Sequence, residues 1–105
     1  MIEVFESTFD KEVIEASQSK LVVIDFMAQW CNPCKMMKPM LDELSQEYKD
    51  KFTFVYIDVD KAHVIASKYR IRSVPTIMVF REGEMVASRI GAITKGNLIT
   101  YLEAL

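Results

Sequence analysis

Cysteine, proline, glycine, histidine and tryptophan are all scarce in this 105-residue chain, at two, three, three, one and one. Two cysteines cannot build the multi-disulfide framework of a stapled mini-domain. Even with His63 they leave a tetrahedral zinc or iron–sulfur shell incomplete, so no metal is expected. The few glycines and prolines form no linker, and no repeat or low-complexity tract divides the sequence. There is no basic run and the formal net charge is −2, which argues against nucleic acid or an anionic membrane as the main partner. The N-terminal Met1-Ile2-Glu3-Val4-Phe5-Glu6 is acidic, and the early apolar run Leu21 to Ile24 stops at Asp25. Neither a signal peptide nor a membrane span is therefore expected, and the reducing cytoplasm is the expected compartment.

What the chain does have is a composition half apolar and 27% charged, suited to a single domain over residues 1–105. A chain of this length buries about 65% of its unfolded surface, enough for a core without added staples. The residues with chemistry are concentrated in Trp30-Cys31-Asn32-Pro33-Cys34-Lys35, which holds both cysteines and the only tryptophan. Thiols at i and i+3 on one helical turn face the same side, with α-carbons roughly 5–5.5 Å apart. That separation lies inside the disulfide window, so the pair can open and close with little backbone movement. In the chain-entropy model so short a loop yields only about 2 kcal/mol, against ~4.7 kcal/mol for a loop near 100 residues. Redox exchange, rather than stapling, is what the spacing suits.

Ile2 to Phe5 reads as a short strand, and Ser7 with Asp10 as a capping box opening a helix through Ser17, with Phe9, Val13 and Ile14 inward. Leu21 to Met27 is apolar enough for a strand covered on both faces. A helix from Pro33 to Tyr48 follows, with Pro33 in its first turn and Pro39 expected to bend it. Phe52 to Val59 reads as a strand, and Lys61 to Tyr69 as a helix with Asp60 as its cap. Thr76 to Phe80 and Met85 to Ile90 pair through Arg81-Glu82-Gly83-Glu84. A final helix spans Thr94 to Ala104, with Leu98, Ile99 and Leu102 inward. Strand–helix alternation followed by a hairpin implies an α/β fold with a central mixed β-sheet flanked by helices on both faces. The cysteines then sit where a strand turns into a helix, a common place for sites in open sheets.

Cys31, at the helix start, meets unpaired N–H groups and the positive end of the dipole, both of which favour a nucleophilic thiolate. Cys34 lies one turn inward and is the more protected thiol, suited to resolving a mixed disulfide. Asp25 is an ionisable group in an apolar strand, where burial raises a carboxyl pKa. His63 reads as a surface residue, and the methionines as core filling, although Met36 and Met37, next to Cys34, are also placed where they could touch partners.

Taken together, Ile24-Asp25-Phe26, the Trp30–Lys35 motif, Pro39, Arg72-Ser73-Val74-Pro75-Thr76, Gly83 and Gly91-Ala92 resemble the thioredoxin family over nearly the whole chain. The resemblance implies a thioredoxin fold and a thiol–disulfide oxidoreductase that reduces protein disulfides, attacking with Cys31 and resolving with Cys34. It implies that Asp25 helps deprotonate Cys34 through water. It also implies a cis bond before Pro75, with the Val74 backbone free to pair with an extended substrate. Trp30, Pro33, Val74, Pro75, Gly91 and Ala92 then frame an apolar contact surface, and Asn32, Pro33 and Lys35 tune the potential. The implied partners are a thioredoxin reductase, NADPH-dependent and flavin-bearing, and disulfide-bearing proteins. A monomer with no cofactor beyond the Cys31–Cys34 disulfide is expected.

Three positions depart from the family pattern: Asn32 where glycine is usual, Met27 where a second tryptophan is common, and Tyr56 where bacterial members often carry lysine. The alternatives are a disulfide oxidase or isomerase and a redox-independent scaffold subunit. Pro33, in place of the histidine common in isomerases, favours the reductase.

Overall fold

The most apolar stretch of the chain becomes the middle of the sheet. In the computed structural model, which describes residues 1–105, Leu21–Met27 forms β2, with Val22 through Phe26 all buried. It lies third in a five-stranded sheet ordered β1-β3-β2-β4-β5, where β1 is Ile2–Glu3, β3 Phe52–Asp58, β4 Thr76–Arg81 and β5 Glu84–Ile90. The β1–β3 and β3–β2 pairs are parallel, and the β2–β4 and β4–β5 pairs antiparallel. The sheet is therefore mixed, as expected, and its helices lie on both faces.

Side-chain alternation along β2 assigns the two faces. Val22, Ile24 and Phe26 pack with Phe9, Val13, Val55, Ile57, Ile65, Met78 and Phe80, beneath the first helical segment and α2 (His63–Lys68). Val23 packs on the opposite face with Met37, Leu41 and Leu44 of α1 (Asn32–Glu47) and Leu98 and Leu102 of α3 (Lys95–Glu103). The α1 helix begins one residue before the expected start and runs through Pro39 as a single element.

Three local expectations fail. The first helical segment is π-helical over Asp10–Glu15 and 3₁₀ over Ala16–Gln18, with no side-chain cap. In place of the Ser7–Asp10 box, Thr8 Oγ1 accepts from the Phe5 N–H at 3.0 Å. Asp60 does not cap α2. That helix is capped across the chain by Glu6, whose Oε2 accepts from the N–H groups of Val64 and Ile65 at 2.8 and 3.2 Å. Nor do all the methionines fill the core: Met37 and Met78 are buried, but Met36 is 80% exposed.

The β4–β5 connection is a two-residue turn in which Glu82 and Gly83 both have positive φ, 52° and 81°. That pattern matches the twist of a tight hairpin, and glycine adopts it freely. The turn is fastened to the segment before β2: Gly83 N–H donates to Ser17 Oγ at 2.8 Å, and Glu82 N–H to the Ser17 carbonyl at 2.9 Å.

Candidate active site

The central strand ends at Met27, and four residues later the chain enters α1 with Cys31 as its N-cap. Cys31 Sγ accepts the Cys34 backbone N–H at 3.2 Å, so the sulfur takes the place a serine or aspartate oxygen usually holds. No acidic residue lies in the first turn of α1 to offset the positive end of its dipole. The two cysteines are joined as a disulfide with α-carbons 5.3 Å apart, inside the range expected from their spacing.

Exposure does not separate the cysteines, which are 4% and 2% accessible. The difference is in polarity: the first sulfur is at the helix mouth with an N–H aimed at it, and the second is within the first turn. With Ala28 they form a small cluster against which Met27, Val59 and Val74 pack.

Asp25 lies on the α1 face of β2, sharing it with Val23 and, across the strand pair, Ile77. It is 4% exposed, and its Oδ1 has no hydrogen-bond partner. Burial pushes this carboxyl up from 3.8 to about 7, while the positive charge of Lys38 pulls it partly back. A group titrating there can take and return a proton near neutral pH.

Of the expected surface residues, Val74 packs against the cysteine cluster and Pro33 lies between the two cysteines in the chain. Trp30 is 69% exposed and its indole N–H donates to Asp60 Oδ2 at 2.9 Å. Trp30 and Val74 line one small cavity of about 100 Å³. Pro33 and Ala92 line another of about 410 Å³, with Met36, Met37, Met40 and Ile93. Gly91, at φ 97°, donates its N–H to the Pro75 carbonyl at 2.9 Å, and the Val74–Pro75 bond is cis. Asn32 and Lys35 are exposed on the first turn of α1. His63 is exposed. No three His, Cys, Asp or Glu side chains are grouped to hold a metal ion, and no helix is long and apolar enough to cross a membrane.

Sequence reasoning missed four contributors. Asp60 orients Trp30, a pairing across thirty residues that no local pattern signals. Met40 and Ile93 extend the apolar cavity, and only the packing of α1 beside the start of α3 joins them. Lys38 acts on Asp25 from α1. Its signal was available in principle, since it lies one turn beyond Cys34 on the same helix.

The comparisons agree with this geometry. The thioredoxin family model matches residues 1–104. Thioredoxin 1 of Synechococcus elongatus is 41% identical over 100 residues, covering 95% of this chain and 92% of its own. The thioredoxin of Mycoplasmoides gallisepticum is 50% identical over 87 residues, covering 83% and 86%. The chloroplastic M-type thioredoxin of Chlamydomonas reinhardtii is 42% identical over 98 residues, covering 93% and 69%. With a family match along its length and a cysteine pair closed across the first turn of α1, the chain belongs to the thioredoxin family and is a thiol–disulfide oxidoreductase that reduces protein disulfides.

Proposed function

We propose that Cys31 is the attacking thiol, Cys34 the resolving thiol and Asp25 the proton acceptor for Cys34. The observation that carries this order is the Cys34 N–H held on Cys31 Sγ at the mouth of a sixteen-residue helix. Once the disulfide is reduced, that N–H and the helix dipole stabilise negative charge on Cys31 more than on Cys34. The Cys31 thiolate attacks one sulfur of a substrate disulfide, forming a mixed disulfide and expelling the first substrate thiolate. Cys34 gives its proton through water to Asp25 and attacks Cys31 Sγ. The second substrate thiolate leaves, and the two electrons lost by the cysteine pair now reside on the reduced substrate.

The substrate lies as an extended segment against Val74 and Pro75, across the apolar surface of Trp30, Pro33, Gly91 and Ala92. Asn32, Pro33 and Lys35, on the helix turn beside the sulfurs, tune the potential. The oxidised pair is returned to the dithiol by a thioredoxin reductase, an NADPH-dependent flavoprotein. The protein needs no bound cofactor, acts as a monomer and works in the cytoplasm on disulfide-bearing proteins.

A trapping experiment tests the order. With a disulfide-bearing protein substrate, Cys31→Ser should show no reduction and form no adduct. Cys34→Ser should accumulate a covalent adduct, seen by mass spectrometry as the sum of the two chains and released by dithiothreitol. Normal turnover by Cys34→Ser would overturn the order.

A further inference from the structure

Met36 and Met37 stand one lysine beyond Cys34, and the exchange between the thiols uses neither. Along α1, Pro33, Met36, Met37 and Met40 recur at i, i+3, i+4 and i+7, the spacing of a continuous apolar stripe. Ala92 and Ile93, just before α3, supply the opposite wall of the cavity of about 410 Å³ that this stripe lines. Met37 is buried in the core cluster beneath, and Met40 and Ile93 pack against that cluster. Met36 instead stands on the rim, 80% exposed. The cavity therefore has a floor continuous with the core and one apolar wall that nothing in the chain covers. Lys95 is the one charged residue lining it, and its ammonium is already paired, 3.0 Å from Glu47 Oε1 and 3.8 Å from Glu43 Oε1.

The reaction itself decides what meets this wall. A protein disulfide must bring a sulfur onto the Cys31–Cys34 pair, whose members are only 4% and 2% exposed. The chain on either side of that sulfur is then pressed against the surface around the cysteine turn. Pro33, between the two cysteines, belongs to the cavity lining, so a residue one or two places along an extended substrate, at about 3.3 Å per residue, comes over the cavity. We propose that the methionine-lined cavity is a specificity subsite, taking a large apolar side chain that flanks the reacting cysteine of the substrate protein. This rests on the substrate lying as an extended segment across Pro33 and Ala92. The recess beside Trp30 and Val74 suits such a side chain less, being about 100 Å³ and lined in part by Arg72. Methionine side chains are unbranched and adapt to irregular shapes, so the subsite selects for size and apolarity rather than for one side chain.

Symmetric disulfide dimers of an alanine-rich peptide with one cysteine test this, with a single phenylalanine moved through the two positions on either side of the cysteine. Reduction by the dithiol protein is followed by chromatography, and each rate is divided by the same protein's rate on bis(2-hydroxyethyl) disulfide, which has no side chain to dock. In one register the phenylalanine dimer should be reduced about tenfold faster than the all-alanine dimer, the scale of partly burying one aromatic side chain. Met36→Gln/Met40→Gln, which keeps side-chain length and helix propensity, should abolish that preference. Met36→Leu/Met40→Leu should retain it. A preference absent in every register, or one that survives Met36→Gln/Met40→Gln, overturns the subsite. A second readout leaves both methionines in place: in the adduct of Cys34→Ser with the phenylalanine peptide, the Met36 and Met40 methyl resonances should be shifted by the ring, and in the alanine adduct they should not. An adduct with unshifted methyls overturns the subsite and leaves the attack by Cys31 standing, whereas failure to trap either peptide overturns that attack and the subsite with it.

Discussion

Ile24 and Asp25 are neighbours in the same strand, both buried, and they point to opposite faces of the sheet. Ile24 enters a wall built almost entirely of aliphatic and aromatic side chains under the first helical segment and α2. Asp25 enters the other wall, which is equally apolar around Leu41, Leu44, Leu98 and Leu102 but turns reactive toward the cysteines. One face carries cohesion with no chemistry. The other gives up some cohesion, since a buried carboxyl with an unpartnered oxygen is costly wherever it is ionised. Strand alternation, a period of two, lets one segment serve both ends.

The largest test of that division removes the chemistry outright. Cys31→Ser/Cys34→Ser should leave no disulfide reduction above the uncatalysed rate, with circular dichroism unchanged. Its stability should fall by only about 2 kcal/mol relative to the oxidised protein, the value of so short a closed loop. Serine at the N-cap keeps the helix start satisfied.

Next comes the carboxyl itself. Its proton is bound more tightly in the folded chain (about 7) than in the unfolded chain (3.8). The cost to stability is therefore absent below pH 3.8, grows as pH rises from 3.8 to about 7, and is constant above. Asp25→Ala should stabilise the protein in urea at pH 8 by up to about 4 kcal/mol, at about 1.4 kcal/mol per tenfold change in proton affinity. The gain should vanish toward pH 4. The same variant should slow reduction at pH 7 by up to ~10²-fold. Equal stabilisation at both pH values would break the comparison.

On the other face, Ile24→Ala should cost about 3 kcal/mol in urea, independent of pH, and leave the rate per folded molecule unchanged. The smallest effect belongs to Glu6→Gln, which weakens the cap on α2 and should lower stability by about 1 kcal/mol with no change in turnover.

The two faces also differ in how far the sequence disclosed them. Leu21 to Met27 announces a buried strand by composition alone, and Asp25 stands out because an apolar run interrupts itself there. The cysteine pair needed only its spacing. The first helical segment was misread because its start depends on Thr8 folding back on Phe5, and the serine–aspartate pattern at Ser7 mimics a cap that the docked chain does not use. Asp60 looked like a cap for the same reason, yet the helix takes its acceptor from Glu6 and leaves Asp60 to Trp30. Lys38 resembled any solvated lysine on a helix. Only the packing of α1 on that face of the sheet brings its charge to bear on Asp25.

The β4–β5 hairpin is latched twice, at its tip by Ser17 and at its open end by the Gly91 N–H on the Pro75 carbonyl. Its two crossing points near the cysteines thus arrive at an encounter already immobilised, with little backbone freedom left to surrender. In the docking proposed above, an extended segment meeting that rim would surrender mainly its own freedom.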